Sequence, residues 1–378
     1  MPEKPSLLYS EYIIDGVSQP LTPAQMLQEC SQEGAVPPLG EREPGVIADE
    51  TVDPSAVPHD FAFSNLLAYT EAIAALGKRP FPVAFSAPYT CGKVAQALLD
   101  TIWQGGHFRL GDLVLKADWH WDDREIGRMA AFFGSVEAAC DYIDGLGIRL
   151  GEVQVSRGAC SVQFKAITTL EEDDQPGEEE ESLIRELPFR TAHPRISRRR
   201  KCPFQILPDK SDWLIYIPFD TCPYRLGGSV LSDAVGAALP VAPDIGDADY
   251  FIDCFEVVRE LVEDGVVKAG VTVFQGGLMT ALQKMSLSCG ARVSVGGLLK
   301  GTGETDPVRV LFGEVPGIVI QIADIDYDYL DAELLLQDVA YYPIGHPSPE
   351  TFGVRVSGES SDVSLILESL MNTLEGED

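Results

Sequence analysis

Basic residues are scarce in this sequence. Its 378 residues include 28 lysines and arginines against 59 aspartates and glutamates, which gives a formal net charge of −31. Nucleic acids and anionic membranes are both bound through positively charged surfaces, so this balance disfavours both classes of partner. We therefore expect no nucleic acid and no membrane among the partners, and a strongly acidic, well-solvated surface.

Long apolar runs and closely paired cysteines are also missing. No stretch approaches the ~20 apolar residues that cross a bilayer. The start, MPEKPSLLYSEYIIDG, has acids and prolines where a signal peptide has a basic and then an apolar segment. The eight cysteines form no Cys-x-x-Cys pair, which argues against a zinc knuckle or a redox motif of that spacing. A cytoplasmic protein with reduced thiols is the expectation.

Apolar residues, by contrast, are plentiful enough for a sizeable core, at 45% of the chain. The length predicts two domains and an appendage. We predict an extended arm or appended segment over 1–57 and a first domain over 58–205 that contains an acidic loop at 171–181. A second domain then covers 206–378. The basic cluster Arg195–Lys201 is interpreted as local charge pairing or an anion-binding rim rather than an RNA patch.

Hydrophobic periodicity predicts a mixed α+β composition in both halves. A hairpin is predicted over Glu152–Ile167 and a flexible loop over Gly296–Gly303, whose spacing does not fit a phosphate loop. An element is also predicted at Val363–Leu370. The other main predictions are helices at Ser64–Leu76, Gly92–Trp103, Asp122–Leu146, Ser229–Ala238, Tyr250–Asp264 and Leu278–Leu287, and strands at Asp112–Lys116, Trp213–Phe219 and Val266–Phe274.

Four stretches form a recognisable series. They are GKVAQALLDTIW at 92–103; ADWHW at 117–121 with VSRGACSV at 155–162; YRLGGSVL at 224–231; and EDGVVKAGVTVFQGGLMTALQKM at 263–285, closed by LFGEVPG at 311–317. Over about residues 60–357, their order resembles phosphoribosylformylglycinamidine synthase, the glutamine- and ATP-dependent ligase of purine synthesis. The likeness is to the second half of the large-type enzyme, within the aminoimidazole ribonucleotide synthetase superfamily.

The resemblance implies a fold and a partner. It implies a PurM-like N-terminal α/β domain, whose strands pair with a partner half into a shared barrel, followed by a PurM-like C-terminal α+β domain. Because this chain carries one half, the implied partner is either a second copy in a homodimer or a second synthase-half chain. The partner would bury exposed apolar strand surface. Nothing resembles the family's glutaminase domain.

The resemblance also locates the family's metal ligands, most of which are replaced here. The helix motif GEALTN reads AQALLD, so Gln96 and Asp100 stand at the metal positions and only one of them is a carboxylate. The motif HDxSDGGL reads VTVFQGGL at 271–278, which keeps its glycines but places Phe274 where a nucleotide phosphate would lie. We therefore assign no catalytic residue.

Phosphate-binding candidates survive in part. The loop motif GKDS reads SRGA, which leaves one cation, and the N–H groups at the start of the predicted helix after Tyr224 could bind an anion. Alternatively, Ser229 only caps that helix. The sequence requires no cofactor, and the one that its residues suggest is a structural ADP or ATP with Mg²⁺. The candidate cofactor-binding residues are Arg157, Arg225, Gly227, Gly228, Gly276 and Gly277.

Three functions follow from this pattern. The favoured one is a degenerate half of a phosphoribosylformylglycinamidine synthase that completes the pseudo-dimer without an ATP site of its own. The second is a stand-alone homodimeric pseudoenzyme that binds a nucleotide or an anionic metabolite. The third is an active ATP-dependent ligase with rewired ligands, taken from Asp100, Asp118 and Glu152. His120, between two tryptophans, is a candidate for base stacking or a rim histidine.

Overall fold

The computed structural model describes residues 5–32, 45–54, 56–168 and 197–357, and every structural statement below concerns these ranges. The acidic loop at 171–181 and the element predicted at Val363–Leu370 lie outside them. In the described part of the chain, no helix combines the length and the apolar composition needed to cross a membrane.

The described part of the N-terminal segment is folded, so of the two expectations the extended arm is wrong, while an appended segment stays a prediction. Its elements are β1 (Glu11–Ile14), β2 (Val17–Ser18), α1 (Pro23–Glu29) and β3 (Val46–Asp49), and its sheet has the order β2-β1-β3. Tyr12 is fully buried, with its ring 5.3 Å from that of Phe133. Strands this short show too little alternation of apolar and polar residues to be predicted.

The next unit is a three-stranded sheet covered by helices. Its sheet has the order β6-β5-β7, with β5 parallel to β6 and antiparallel to β7. The hairpin predicted over Glu152–Ile167 is therefore wrong, because β5 separates the two strands that follow each other in sequence. The elements are α2 (Leu66–Ala75), α3 (Ser86–Ile102), β4 (Gln104–Gly105), β5 (Leu113–Trp121), α4 (Arg128–Gly145), β6 (Arg149–Arg157), β7 (Ser161–Thr168) and β8 (Ser197–Arg200).

The apolar face of this sheet is turned inward. Trp119 donates its indole N–H to Ser135 of α4 at 3.1 Å, and the Trp121 ring lies 5.4 Å from that of Phe132. The outer face is polar: Lys116 of β5 pairs with Glu152 of β6 at 2.7 Å. The exposed apolar strand surface expected at a partner interface is therefore not found on the described sheet.

The C-terminal unit is built on a six-stranded sheet of order β10-β12-β9-β13-β11-β14. All of its pairings are antiparallel except β11 with β14. The flexible loop predicted at Gly296–Gly303 is wrong, because most of it forms a helix. The elements are β9 (Trp213–Pro218), α5 (Val230–Val235), α6 (Ala248–Glu263), β10 (Val267–Val273), α7 (Gly277–Met285), β11 (Gly290–Ser294), α8 (Gly296–Thr302), α9 (Pro307–Phe312), β12 (Gly317–Ile322), α10 (Tyr327–Leu336), β13 (Tyr342–Ser348) and β14 (Val354–Ser357).

Two apolar clusters hold these units together. The larger contains the inner face of β5, helices α3, α4 and α6, and one face of the six-stranded sheet. The smaller covers the other face of that sheet with α7 and α9. Each cluster takes residues from both sides of position 205, so the two halves share their cores. The domain boundaries themselves stay predictions.

Candidate functional site

Three of the four motif stretches meet at one cleft. Its volume is about 450 Å³, and it opens between α3, strand β7 and the turn that precedes α7. The α3 residues along it are spaced by three or four, which places them on one face of the helix. The polar side chains that line the cleft include Arg79, Tyr89, Lys93, Gln96, Asp100 and Gln275.

Both predicted metal ligands line this cleft, but the chain already supplies their partners. The Asp100 carboxylate accepts a hydrogen bond from the Thr272 hydroxyl at 2.8 Å, and Thr272 accepts one from the Trp103 indole N–H at 3.0 Å. Burial raises the pKa of Asp100, and the bond from Thr272 opposes that rise. Asp100 is thus tied to the strand that carries the altered HDxSDGGL motif.

Lys93 contacts Gln96, one of the two predicted metal ligands, and also Gln275. Its ammonium lies 3.1 Å from the side-chain oxygen of Gln96 and 3.1 Å from that of Gln275. The Gln275 amide in turn donates to the Tyr89 hydroxyl at 2.9 Å. Burial lowers the pKa of Lys93, and the charge of Glu314 opposes that effect. Sequence reasoning missed Lys93, although its position three residues before Gln96 on a helix was the available signal.

The residues present do not fit a magnesium nucleotide. Mg²⁺ takes oxygen ligands in an octahedral arrangement and prefers carboxylates. In the described ranges, no cluster of three or more histidine, cysteine, aspartate or glutamate side chains could hold a metal ion. Asp100 is the one carboxylate among the described residues that line the cleft, and a lysine stands beside Gln96. We therefore derive no step through Mg²⁺ or ATP.

The backbone donors proposed for a phosphate are bonded to an internal carboxylate. One oxygen of Glu314 accepts from the N–H of Gly276 at 2.8 Å and from that of Val230, at the start of α5, at 2.7 Å. Glu314 is 5% exposed, and burial raises its pKa against the opposing charge of Arg79. This contact links the surviving glycine turn to α5 without any ligand.

Arg79 lines the cleft and also lies next to Glu314. Its guanidinium contacts the carboxylate of Asp233 and the carbonyl oxygen of Gly228, and it lies 3.7 Å from Glu314. Backbone groups at two predicted cofactor-binding positions are therefore bonded to side chains of the protein: the carbonyl of Gly228 to Arg79, and the N–H of Gly276 to Glu314. Arg79 was not among the residues singled out in the sequence, because no motif includes it.

Two glycines of the family pattern have clear packing reasons. A Cβ atom at Gly227 would overlap the backbone of Val241. Gly277 has φ +67°, and a Cβ there would lie 2.6 Å from the carbonyl oxygen of Leu311. Ser229 caps α5 by accepting from the Ser232 N–H at 3.2 Å, as the capping interpretation predicted.

Phe274 lies deep between the two motifs. It is 4% exposed, and a Cβ added at Gly92 of α3 would overlap its ring. The side chain therefore packs directly on the α3 backbone. Close packing of this kind leaves no room between helix and ring for another group.

The remaining predicted phosphate ligands do not reach the cleft. Arg157, at the end of β6, lies 3.3 Å from the carbonyl oxygen of Pro5 and 3.6 Å from the carboxylate of Asp123. Arg225 lies 3.2 Å from the carboxylate of Glu304. Neither lines the cleft that contains Gln96 and Asp100.

The residues considered for a rewired ligase are likewise separated. Asp118 and His120 lie on the outer face of β5, where the ring of His120 contacts the hydroxyl of Ser156 and lies 3.6 Å from Asp118. Glu152, on the same face, is paired with Lys116. Only Asp100 of the three candidate carboxylates lines the cleft, so the described structure does not bring that set together.

Comparison with known proteins agrees with the motif series. The sequence is 26% identical over 227 residues to phosphoribosylformylglycinamidine synthase of Homo sapiens, which covers 57% of this chain. It is 24% identical over 257 residues to the Drosophila melanogaster synthase, covering 62% of this chain. A structure described as T. maritima PurL complexed with FGAR superposes with a TM-score of 0.55 at 12% identity, covering 74% of this chain and 42% of that one.

The chain is a PurM-like protein related to phosphoribosylformylglycinamidine synthase. PurLQS from Thermotoga maritima superposes with a TM-score of 0.51 at 13% identity over 74% of this chain and 40% of that one. This PurM-like chain spans 15% of the length of the human synthase and 17% of that of the fly synthase. No protein-family model matches it. The resemblance and the mixed α/β fold are confirmed, and the shared barrel with a partner stays a prediction.

Proposed function

We propose that this PurM-like chain acts in purine biosynthesis as a non-catalytic half of a phosphoribosylformylglycinamidine synthase-type assembly. It would complete the pseudo-dimer with a partner half while having no ATP site of its own. One observation carries the proposal: the Lys93 ammonium bonds both Gln96 and Gln275, at the junction of the two motifs that supply the family's metal ligands. A lysine there repels a divalent cation.

The second support is that groups of the chain itself contact the positions where the resemblance implies a nucleotide. Glu314 bonds the backbone donors of Gly276 and Val230, and Phe274 packs against Gly92. A half of this kind supplies shape and an interface, and its partner supplies the chemistry. Because the outer face of β5 is polar, that interface would rest on hydrogen bonds and ion pairs such as those available to Lys116.

Two measurements test the proposal. Calorimetric titration with ATP and ADP, with and without Mg²⁺, is expected to show no binding, and the purified chain is expected to release no phosphate from ATP. Native mass spectrometry of the protein from its own host is expected to show a second synthase-like chain. Magnesium-dependent nucleotide binding by this chain, or a homodimer in the presence of such a partner, would overturn it.

A second candidate is a stand-alone homodimer that binds a small anionic metabolite without a metal. Two cations favour it: the Arg79 guanidinium lies 5.6 Å and the Lys93 ammonium 5.7 Å from the centre of the Tyr89 ring, and all three line the cleft. Titration with purine intermediates tests it. Lys93→Met should abolish any heat observed, whereas Lys116→Met on the outer sheet face should retain it.

Restoring a single acid is expected to bring no catalysis. Thr272→Asp places a second carboxylate beside Asp100 and removes the hydroxyl that bonds both Asp100 and Trp103. We expect no phosphate release from ATP and a loss of about 1–3 kcal/mol in the free energy of unfolding, measured by urea denaturation. Thr272→Ser, which keeps the hydroxyl, is the matched control. Ligase activity in Thr272→Asp would show that a single lost ligand accounts for the inactivity, and would contradict this prediction.

A further inference from the structure

Two buried thiols meet in the core although they lie 110 residues apart in sequence. The sulfur atoms of Cys30 and Cys140 are 3.1 Å apart, and the two residues are 3% and 6% exposed. Cys30 follows the last turn of α1, and Cys140 lies on α4. The contact therefore joins the folded N-terminal segment to the main α/β unit.

The backbones on both sides of this contact are fixed. The N–H of Cys30 donates to the carbonyl oxygen of Met26 at 3.3 Å, and the Cys30 carbonyl accepts from the N–H of Leu150 at 3.0 Å. Cys140 lies inside a helix. A disulfide bond measures about 2.05 Å between its sulfurs, so closing the gap needs a shift of about 1 Å, within reach of small side-chain rotations.

We propose that Cys30 and Cys140 form a redox-modification site, at which a hydroperoxide converts the two thiols into a disulfide that ties α1 to α4. The Cys30 thiolate attacks the hydroperoxide oxygen, which gives a sulfenic acid and releases the alcohol or water. The Cys140 sulfur then attacks the sulfenic sulfur and displaces water. Two thiols and one hydroperoxide thus give one disulfide, one alcohol or water, and one water. A small thiol reductant reverses the change.

The surroundings assign the two roles. The contact with Cys140 lowers the pKa of Cys30 despite its burial, and the positive charge of Arg149 acts in the same direction. The pKa of Cys140 is raised, chiefly by the same contact. The Arg149 guanidinium donates to the carbonyl oxygen of Glu29 at 3.0 Å, next to Cys30, and a cation there favours the thiolate of Cys30. We therefore assign Cys30 as the attacking thiol and Cys140 as the resolving thiol.

Access and selectivity also favour this pair. Gln28, Glu29 and Gln32, which are neighbours of Cys30 in the chain, are exposed, so the buried thiol lies in a segment that reaches the surface. Cys30 contacts the carbonyl oxygen of Leu27 as well as the sulfur of Cys140. Cys91 and Cys254 contact the carbonyl oxygens of Ala138 and Pro218, and no contact with a second sulfur is described for either. A thiol facing an oxygen has no resolving partner in that contact.

The test uses the full chain, treated with hydrogen peroxide and then alkylated. We expect an intact-mass loss of about 2 Da before alkylation, and a non-reduced peptide map in which the Cys30 peptide is linked to the Cys140 peptide. The melting temperature should rise by at least ~3 °C and return to its starting value with dithiothreitol, because the bond closes a long loop.

Two variants serve as controls. Cys30→Ser should lose the link and the rise in melting temperature, while Cys289→Ser should keep both. The proposal is overturned if the wild-type map shows Cys30 and Cys140 still as thiols when the less buried Cys160 is already oxidised, or if the link joins other cysteines. Because that map is made on the wild-type chain, it decides the question even if Cys30→Ser fails to fold.

Discussion

Glu314→Ala is expected to lower the free energy of unfolding by about 3–5 kcal/mol. The substitution removes the carboxylate that accepts from the backbone N–H groups of Gly276 and Val230, and it removes one of the charges beside Arg79. The buried N–H of Gly276, the partly buried N–H of Val230 and part of the Arg79 guanidinium would lose this partner. Urea denaturation followed by circular dichroism measures the loss.

The same variant should gain a property that the parent chain lacks. With the carboxylate gone, an anion can reach the N–H groups of Gly276 and Val230 beside Arg79, so inorganic phosphate or sulfate should recover part of the lost stability. Glu314→Gln should be milder, because it keeps an acceptor oxygen. Glu350→Ala, which removes the exposed partner of Lys210, is the matched control and should leave the free energy of unfolding nearly unchanged. An equally small loss for Glu314→Ala would contradict the assigned role.

Gly277→Val is expected to prevent the chain from folding, or to cost more than about 4 kcal/mol. Gly277 has φ +67°, a backbone region that β-branched residues avoid, and a Cβ there would lie 2.6 Å from the carbonyl oxygen of Leu311 and from the Cα of Phe312. Both obstacles are backbone atoms of α9 and cannot move aside alone. Soluble yield and the urea midpoint are the measurements.

The control for that experiment lies on another helix of the same unit. Gly297, in α8, has open space where a Cβ would be added, so Gly297→Ala should be neutral or slightly stabilising. If Gly277→Val folds as well as the parent, the glycine turn is not kept for packing. Its presence would then have to be explained by a ligand, and the proposal of a non-catalytic half would lose its second support.

The sequence predicted local elements well and long-range pairings poorly. The helices around Gly92–Trp103, Tyr250–Asp264 and Leu278–Leu287 are confirmed, because 3.6-residue periodicity is a property of the segment itself; the first of them begins at Ser86. The hairpin at Glu152–Ile167 failed because both strands pair with β5, which precedes α4 in the chain. The prediction of a loop at Gly296–Gly303 was wrong because a glycine-rich segment is usually a loop, whereas this one forms the short helix α8.

The candidate site was predicted in its location but not in its contacts. The motif order brought Gln96, Asp100 and the turn at Gly276 to one region, as the resemblance implied. Lys93 and Gln275 are 182 positions apart, and no spacing rule links them. Arg157 and Arg225 were chosen for their charge, yet each already has an acidic partner that lies far from it in sequence. Pairing of this kind can be seen only once the chain is folded.

Glu314 carries a consequence for how the protein responds to its surroundings. A site filled by a diffusible phosphate gains stability in proportion to the logarithm of that ligand's concentration. The Glu314 carboxylate is part of the chain, so its stabilising effect does not depend on the concentration of any ligand. The folded fraction of the protein should therefore not vary with the ATP concentration in the cell. If the chain serves as the proposed half, its assembly would persist through starvation, whereas a nucleotide-dependent half would lose stability.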